Sequence, residues 1–318
     1  MPKLLDKPMT VVTVPLEQPT LKVYKFHGVR FDEVKKQATA DCPFCGKDEG
    51  KFSVEVDTGL WKCFVCGSDG NPLTFMRLLW QRSDAATNGH GEQLATERGY
   101  LDRLTLTAWG VCRSIIDGTW LVPGYSHEGR LDQLYRRCRF MDKKKGGYVW
   151  RLLPTPGLWE DGKVHALHMP SMSFDPKKPR IDVLEGPWDG MAYWEVARQS
   201  KRSDDGLLEF TGNEAASVIC DTNVIAAPGA TTWRHEWTMM CKDKIVTLFY
   251  DNDHPHEHPE GSGNFTAAGR DGVKRIAGLL TGVAREVHWL QWGGGGYDSS
   301  LPTGFDVRDW LVKGVPSA

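Results

Sequence analysis

The sequence predicts a multidomain α/β chain with three parts: a small β ribbon closed on four cysteines, a basic subdomain of mixed α+β type, and a C-terminal α/β domain with a mainly parallel sheet. Three observations carry this. Two C-x-x-C pairs flank a hairpin-like spacer, a run of arginines and lysines follows a linker, and from about residue 179 apolar strand-length runs alternate with helical ones. The expected divisions are 1–82 for the ribbon region, 83–93 for a linker, 94–178 for the basic region and 179–318 for the last domain.

Composition sets the outer limits. A chain of 318 residues has room for two or three domains, and 40% hydrophobic with 25% charged residues excludes long disorder. A formal net charge of −2 excludes a protein that holds nucleic acid by bulk charge, though not one with local basic patches. The start MPKLLDKPMT lacks an apolar leader core, and no apolar run approaches the ~18 residues needed to span a bilayer, so a cytoplasmic protein with no membrane partner is expected. Four of the eight cysteines are clustered, which reads as metal binding. Cys112, Cys138, Cys220 and Cys241 are scattered, which reads as small buried side chains.

The ribbon is the sharpest local signal. Cys42 and Cys45 form one knuckle and Cys63 and Cys66 another, with 17 residues between them. That spacing brings four thiolates to one tetrahedral Zn²⁺, and the spacer reads as a hairpin turning at Asp57-Thr58-Gly59. Lys51, Trp61, Lys62 and Phe64 interleave cations with aromatics, a pattern suited to single-stranded nucleic acid. The alternative for Phe52, Trp61 and Phe64 is packing within the ribbon's own small core. NPLTFMRLLWQ (71–81) has helical apolar spacing and is expected to pack on the ribbon, whereas 83–93 is polar and without period.

In the middle region, 94–110 predicts a helix or helix pair ending at Gly110, followed by two strands joined at His127-Glu128-Gly129. Arg137 and Arg139 share one face of the second strand, with Lys145 and Arg151 close behind, a set able to grip a triphosphate or a template backbone. A solvated charged face is the plainer reading of such a run.

From residue 179, strands are expected at 181–186, 217–229 (one or two), 244–250 and 285–292, with helices at about 190–199 and 267–280. In such a sheet, ligand sites lie outside the carboxyl ends of the strands, where Glu185, Asp251 and Asp253 fall. Each acid alone could be a helix cap or a turn residue. Three together repel one another unless cations neutralise them, which implies divalent metal. Asp306 and Asp309 form a further acidic pair in FDVRDW.

These residues resemble a known family. EGPWDG (185–190), DND (251–253), AGRDG (268–272) and FDVRDW (305–310) resemble the motifs of a TOPRIM domain as found in DnaG-type primases, and CPFC…WKCFVCGSDGNPLTFM resembles those primases' zinc ribbon. GRLDQLYRR and RLLPTPGLW resemble their basic polymerase subdomain. The resemblance implies a bacteriophage-like DNA primase of DNA replication, a nucleotidyltransferase that joins NTPs on a single-stranded DNA template. It implies Glu185, Asp251 and Asp253 as catalytic and Mg²⁺- or Mn²⁺-binding acids, with Asp306 and Asp309 supporting the metals. Asp189, Arg137, Arg139, Lys145 and Arg151 are implied to hold nucleotide or template. Cys42, Cys45, Cys63 and Cys66 are implied as the ligands of one structural Zn²⁺, and a replicative helicase on another chain is the implied partner.

Three departures stand out. Four cysteines replace the Cys/His set common in bacterial members, HPHEHPEGSGNFTA is inserted after Asp253, and no GxxxxGK[ST] P-loop is present for ATP-driven unwinding. His254, His256 and His258 in the insertion could form an extra metal site or a mobile polar loop, and GGGG (293–296) reads as a connector. A TOPRIM nuclease or topoisomerase, a non-catalytic binder of the RecR type, and a primase relic retained as a DNA-binding regulator are the competing readings.

Overall fold

A computed structural model describes residues 19–47, 50–86, 91–98, 101–142, 146–159, 166–170, 174–203, 208–257, 261–294 and 296–313. A short helix, α1 (Lys22–Phe26), leads into an antiparallel meander of β1 (Glu33–Val34), β2 (Gln37–Ala40), β3 (Phe52–Glu55), β4 (Trp61–Cys63) and β5 (Asp69–Gly70). In β3 the buried Phe52 and Val54 alternate with half-exposed Ser53 and Glu55, the period-two pattern of a sheet with one covered face. The hairpin turns where the sequence predicts. Gly59 has φ 73° and its N–H donates to the Glu55 carbonyl at 2.8 Å.

Helix α2 (Pro72–Ala86) covers the ribbon. Asn71 caps it, its Oδ1 accepting the Thr74 N–H at 2.9 Å, and Pro72 occupies the first helical position, where a missing N–H costs nothing. Tyr24, Phe52, Trp61 and Phe75 interlock beneath it, with ring centroids 4.7 to 6.1 Å apart.

The expected linker differs. α2 continues through residue 86, and α3 (Gly91–Arg98) begins inside 83–93. The reason is one-sided contact hidden in a polar composition: the buried Ser83 hydroxyl accepts the Ile115 N–H at 3.2 Å, and Leu94 is fully buried. Helix α4 (Arg103–Ala108) follows, capped by Asp102 through Thr105 N–H at 2.6 Å and ended by Gly110 at φ 67°.

The middle sheet is antiparallel in the order β6 (Cys112–Arg113), β7 (Trp120–Tyr125), β8 (Leu131–Asp142), β9 (Gly147–Pro154). β7 and β8 are the two expected strands, and β6 and β9 are additional to them. The ribbon is anchored here by an Arg77–Asp132 ion pair at 2.7 Å and by the Trp80 indole N–H, which donates to the Gly110 carbonyl at 2.9 Å. One hydrophobic core runs from Leu21 and Phe52 through Tyr125 to Ile181 and Leu248.

The C-terminal region runs β10 (Arg180–Glu185), α5 (Pro187–Ala197), a hairpin of β11 (Ser200–Arg202) and β12 (Leu208–Phe210), then β13 (Thr222–Ala227), α6 (His235–Met240) and β14 (Ile245–Phe249). A small hairpin of β15 (His256–Glu257) and β16 (Phe265–Thr266) follows, then α7 (Ala268–Leu280), β17 (Glu286–Trp289) and α8 (Val307–Lys313). The sheet is parallel throughout in the order β13-β10-β14-β17. β13 is buried at all six positions and β10 at four, as expected of strands covered on both faces. The expected 217–229 segment holds one strand, preceded by a single 3-10 turn over Val218–Cys220. His168 and Ala226 exchange two backbone hydrogen bonds, at 2.9 and 2.7 Å, and so tie the middle region to the edge of this sheet. Among the described residues no helix is long and apolar enough to cross a membrane.

Candidate functional site

Two sites are built by these elements. In the ribbon, the four sulfurs of Cys42, Cys45, Cys63 and Cys66 all lie within 4.8 Å of one another, with Cys42–Cys66 at 4.0 Å and Cys45–Cys63 at 3.9 Å. Zn–S bonds of about 2.3 Å in a tetrahedron require edges near these values, so the quartet fits one Zn²⁺. Each knuckle is followed by a glycine in the left-handed region, Gly46 at φ 63° and Gly67 at φ 73°. Their N–H groups donate to the carbonyls of Cys42 and Cys63, both at 3.0 Å, and fold each loop back under its sulfurs. The Cys63 Sγ also accepts backbone N–H groups of Val65 and Cys66, at 3.4 and 3.5 Å.

The ribbon aromatics divide. Phe64 is 68% exposed, with the Lys62 ammonium 5.7 Å from its ring centroid, and Lys51 is exposed alongside. Trp61 was expected among the nucleic-acid contacts and is instead core. It is buried against Phe44, Phe52 and Phe75, and its indole N–H is used up on the Asn71 carbonyl at 3.0 Å.

The second site lies at the carboxyl ends of β10 and β14. Parallel register sets Leu184 beside Phe249, so Glu185 emerges next to the segment carrying Asp251. The Glu185 carboxylate accepts the N–H of Ala230 at 3.2 Å and of Asp251 at 3.4 Å. Asp253 accepts the Gly269 N–H at 2.8 Å, which seats the start of α7 on the acids. Gly269 is required there: a Cβ would lie 2.5 Å from the Asp251 carbonyl oxygen. Asp189, in the first turn of α5, is buried, and its Oδ1 accepts no hydrogen bond among the described residues.

Burial and mutual repulsion both act on these carboxyls. Burial pushes the Glu185 carboxyl up to about 7, with repulsion from Asp253 and Asp306 opposing its two backbone donors. Burial, then Glu185, Asp189, Asp306 and Asp253, pushes Asp251 up to about 10. Burial and then Asp306 hold Asp189 well above the ordinary carboxylate range. The acids are less tightly drawn together than the cysteines. Among the described residues the quartet is the one group whose ligand atoms close to within 4.8 Å.

Asp306 has a structural duty as well: it caps α8 by accepting the Asp309 N–H at 2.7 Å, and it pairs with Arg308. The Arg308 Nε also stands 3.9 Å from Asp189 Oδ1, a cation between two acids that sequence reasoning missed. Asp309 lies in the first turn of α8. Asn252, fully buried between the two acids of DND, was missed too, because an Asn between two Asp residues carries no motif weight.

On the middle sheet, Arg137 and Arg139 share a face as expected, opposite Leu152 and Trp150. Arg137 is buried, paired with Glu97 at 2.6 Å and lying 4.3 Å over the Trp150 ring, which restricts it to a supporting role. Arg139 is exposed, 4.3 Å over Tyr148. Tyr148 and Trp150 are themselves 59% and 52% exposed, so this face alternates cations with aromatics. Arg151 pairs with Cys138 and therefore points to the opposite face from Arg137 and Arg139. Lys145 lies outside the described residues, as does His258. His254 is engaged with the Asp298 carbonyl at 3.1 Å, and His256 lies in the small β15–β16 hairpin.

Among curated proteins nothing matches the chain. In shape it is similar to the Aquifex aeolicus primase (zinc-binding and RNA polymerase domains), with 15% identity, 93% of this chain and 80% of that chain covered, and a TM-score of 0.44. It is also similar to a primase-domain structure of bacteriophage T7, at 18% identity, 69% and 84% coverage and a TM-score of 0.39. The RNA polymerase domain of Mycobacterium tuberculosis DnaG matches at 16% identity, 76% and 77% coverage and a TM-score of 0.40. Residues 26–87 match the family model of the CHC2 zinc finger, and by that match the N-terminal segment is a zinc ribbon of the DnaG type.

Proposed function

We propose that the chain is a DNA primase, which joins NTPs into short RNA primers on single-stranded DNA. The observation that carries this reading is the convergence of Glu185, Asp251 and the buried Asp189 at the ends of parallel strands, in a chain whose residues 26–87 match a DnaG-type ribbon. Buried acids that raise one another's pKa, one with an oxygen accepting no hydrogen bond among the described residues, fit a hard divalent cation held by oxygen ligands. When bound, Mg²⁺ or Mn²⁺ supplies activation of the attacking 3′-hydroxyl and neutralisation of the leaving pyrophosphate.

The chain's own residues do the rest. Glu185, Asp251 and Asp253 hold the metals in a TOPRIM-like arrangement, supported by Asp306 and Asp309. Without metal, burial pushes the Glu185 carboxyl up to about 7, and a cation bound beside it would favour the charged form that ligates. Arg308 fixes the spacing of Asp189 and Asp306. Arg139, Tyr148 and Trp150 on the middle sheet, with Lys62 and Phe64 on the ribbon, hold the template by stacking and phosphate contacts. Bound Zn²⁺ keeps the ribbon folded. A replicative helicase on another chain and a bacteriophage origin, with work in the host cytoplasm, complete the proposal.

The test is an incubation of the purified chain with labelled NTPs, Mg²⁺ or Mn²⁺ and a random single-stranded template. Short RNA products are expected. Template cleavage without such products would replace the reading with a nuclease.

A further inference from the structure

Helix α5, which carries Asp189, is fastened differently at its two ends. At the far end Arg198 pairs with Asp102 and Glu214, and Glu195 accepts the Asp102 N–H at 2.8 Å. The near end starts on Gly186, at φ 95°, and has no side-chain cap. Its first turn depends on packing instead. On one side Gly190 admits a close approach: a Cβ there would lie 2.6 Å from the Trp109 ring and 2.9 Å from the Ala226 Cβ. Trp188 lies about 200° round the helix from Gly190, so it holds the opposite side. It is half-buried, and its ring is covered by Arg98, the last residue of α3, whose guanidinium carbon stands 4.1 Å from the ring centroid. The neighbouring Glu97 pairs with Arg137 of β8 at 2.6 Å, so Arg98 projects from a helix end that is itself anchored to the middle sheet. Asp189 sits in sequence between Trp188 and Gly190, buried, and its Oδ1 accepts no hydrogen bond among the described residues.

We propose that Arg98 is a positioning residue for the acid site: stacked on Trp188, it fixes the first turn of α5 and with it the direction in which Asp189 presents its carboxylate. Two features of the turn make this contact matter. The helix start has no side-chain cap to define it, and the Asp189 oxygen is not steered by a hydrogen bond among the described residues, so the backbone of the turn sets where that oxygen points. Small divalent ions such as Mg²⁺ demand near-ideal ligand geometry, so a turn free to rock on its Gly190 side would hold them less well. The ion pairs of Arg198 keep the rest of α5 in place when Arg98 is lost, which confines the effect to the turn bearing Asp189. The inference rests on the reading of Glu185, Asp189 and Asp251 as a divalent-metal site, but not on primer synthesis.

Titration of the zinc-loaded full chain with Mn²⁺, free ion being read by electron paramagnetic resonance in the absence of nucleotide, tests it. Groups that orient a metal ligand typically affect affinity at least tenfold, so Arg98→Ala should weaken Mn²⁺ binding about tenfold. Arg98→Lys keeps a cation over the ring and should recover most of that loss. Arg98→Met keeps the stem without the guanidinium, and carries the same test in a chain less liable to unfold. Trp188→Ala should weaken Mn²⁺ binding as much as Arg98→Ala, and the double variant no more than either alone, because the two act as one contact. Mn²⁺ affinity within about twofold of wild type in both Arg98→Ala and Arg98→Met, or losses that add in the double variant, would overturn the role of Arg98. A wild-type chain that binds no Mn²⁺ beyond its zinc site would sink the metal reading on which the inference rests. Binding that depends on Arg98 in a chain that makes no primers would keep the positioning role and sink the primase reading.

Discussion

The Asn252 side chain grips the main chain of Asp298 from both sides: its Nδ2 donates to the Asp298 carbonyl at 2.9 Å and its Oδ1 accepts the Asp298 N–H at 2.7 Å. Its own N–H donates to the Phe305 carbonyl at 2.8 Å. One residue between two acids therefore holds the segment that delivers Asp306 and Arg308 to the site.

Asn252→Ala removes these two bonds and a third from Nδ2 to the Pro302 carbonyl at 3.3 Å, and leaves the Asp298 N–H without its acceptor. At about 1 kcal/mol per bond plus the cost of leaving groups unpaired, the loss should be ~2–4 kcal/mol, read as a shift in the urea midpoint. A variant as stable as the wild type would show that the clasp is dispensable.

The two ribbon aromatics should behave oppositely. Trp61→Ala opens a cavity among packed rings and should cost ~3–5 kcal/mol in unfolding experiments. Phe64→Ala, at an exposed position, should change stability by no more than about 0.5 kcal/mol and weaken single-strand binding by ~1–3 kcal/mol. Fluorescence anisotropy with a labelled oligonucleotide distinguishes the two.

The acids make stability depend on pH with a definite sign. Glu185 and Asp251 are raised from the usual 4.5 and 3.8 to about 7 and 10. Between those limits the folded chain binds more protons than the unfolded chain, so stability falls as pH rises. Thermal melts in chelator should give a lower Tm at pH 8 than at pH 5, with Mn²⁺ restoring more at pH 8. A flat profile would mean that burial does not hold the Glu185 and Asp251 carboxyls protonated in the folded chain.

Cys63→Ser removes a buried sulfur that accepts two backbone N–H groups and belongs to the quartet. Zinc content should drop from one per chain to a trace, and the ribbon's core aromatics should become accessible to a fluorescence quencher. Retention of full zinc would show that the ion is held elsewhere.

Much of this architecture was readable from local pattern. The C-x-x-C spacing, the hairpin at Gly59 and the alternation of apolar runs with helices are short-range signals, and the acids of DND and EGPWDG fall where a parallel sheet ends its strands. What escaped depends on contacts far apart in sequence. The helix across 83–86 is held by Ser83 touching Ile115, Trp61 is core because Phe75 closes over it, and Arg137 is occupied by Glu97. Arg151 shares a run with Arg137 and Arg139 but faces the other way, because a period of two separates odd from even positions across the β8–β9 pair.

The most direct test compares wild type with Asp251→Asn in dinucleotide synthesis from NTPs on a single-stranded template, with oligonucleotide binding measured on the same preparations. The account predicts that synthesis is abolished in the variant while oligonucleotide binding stays within about twofold of wild type, since the proposed single-strand face comprises Arg139, Tyr148, Trp150 and the ribbon and does not include Asp251. Synthesis at the wild-type rate in Asp251→Asn, or loss of binding in proportion to loss of synthesis, would contradict it.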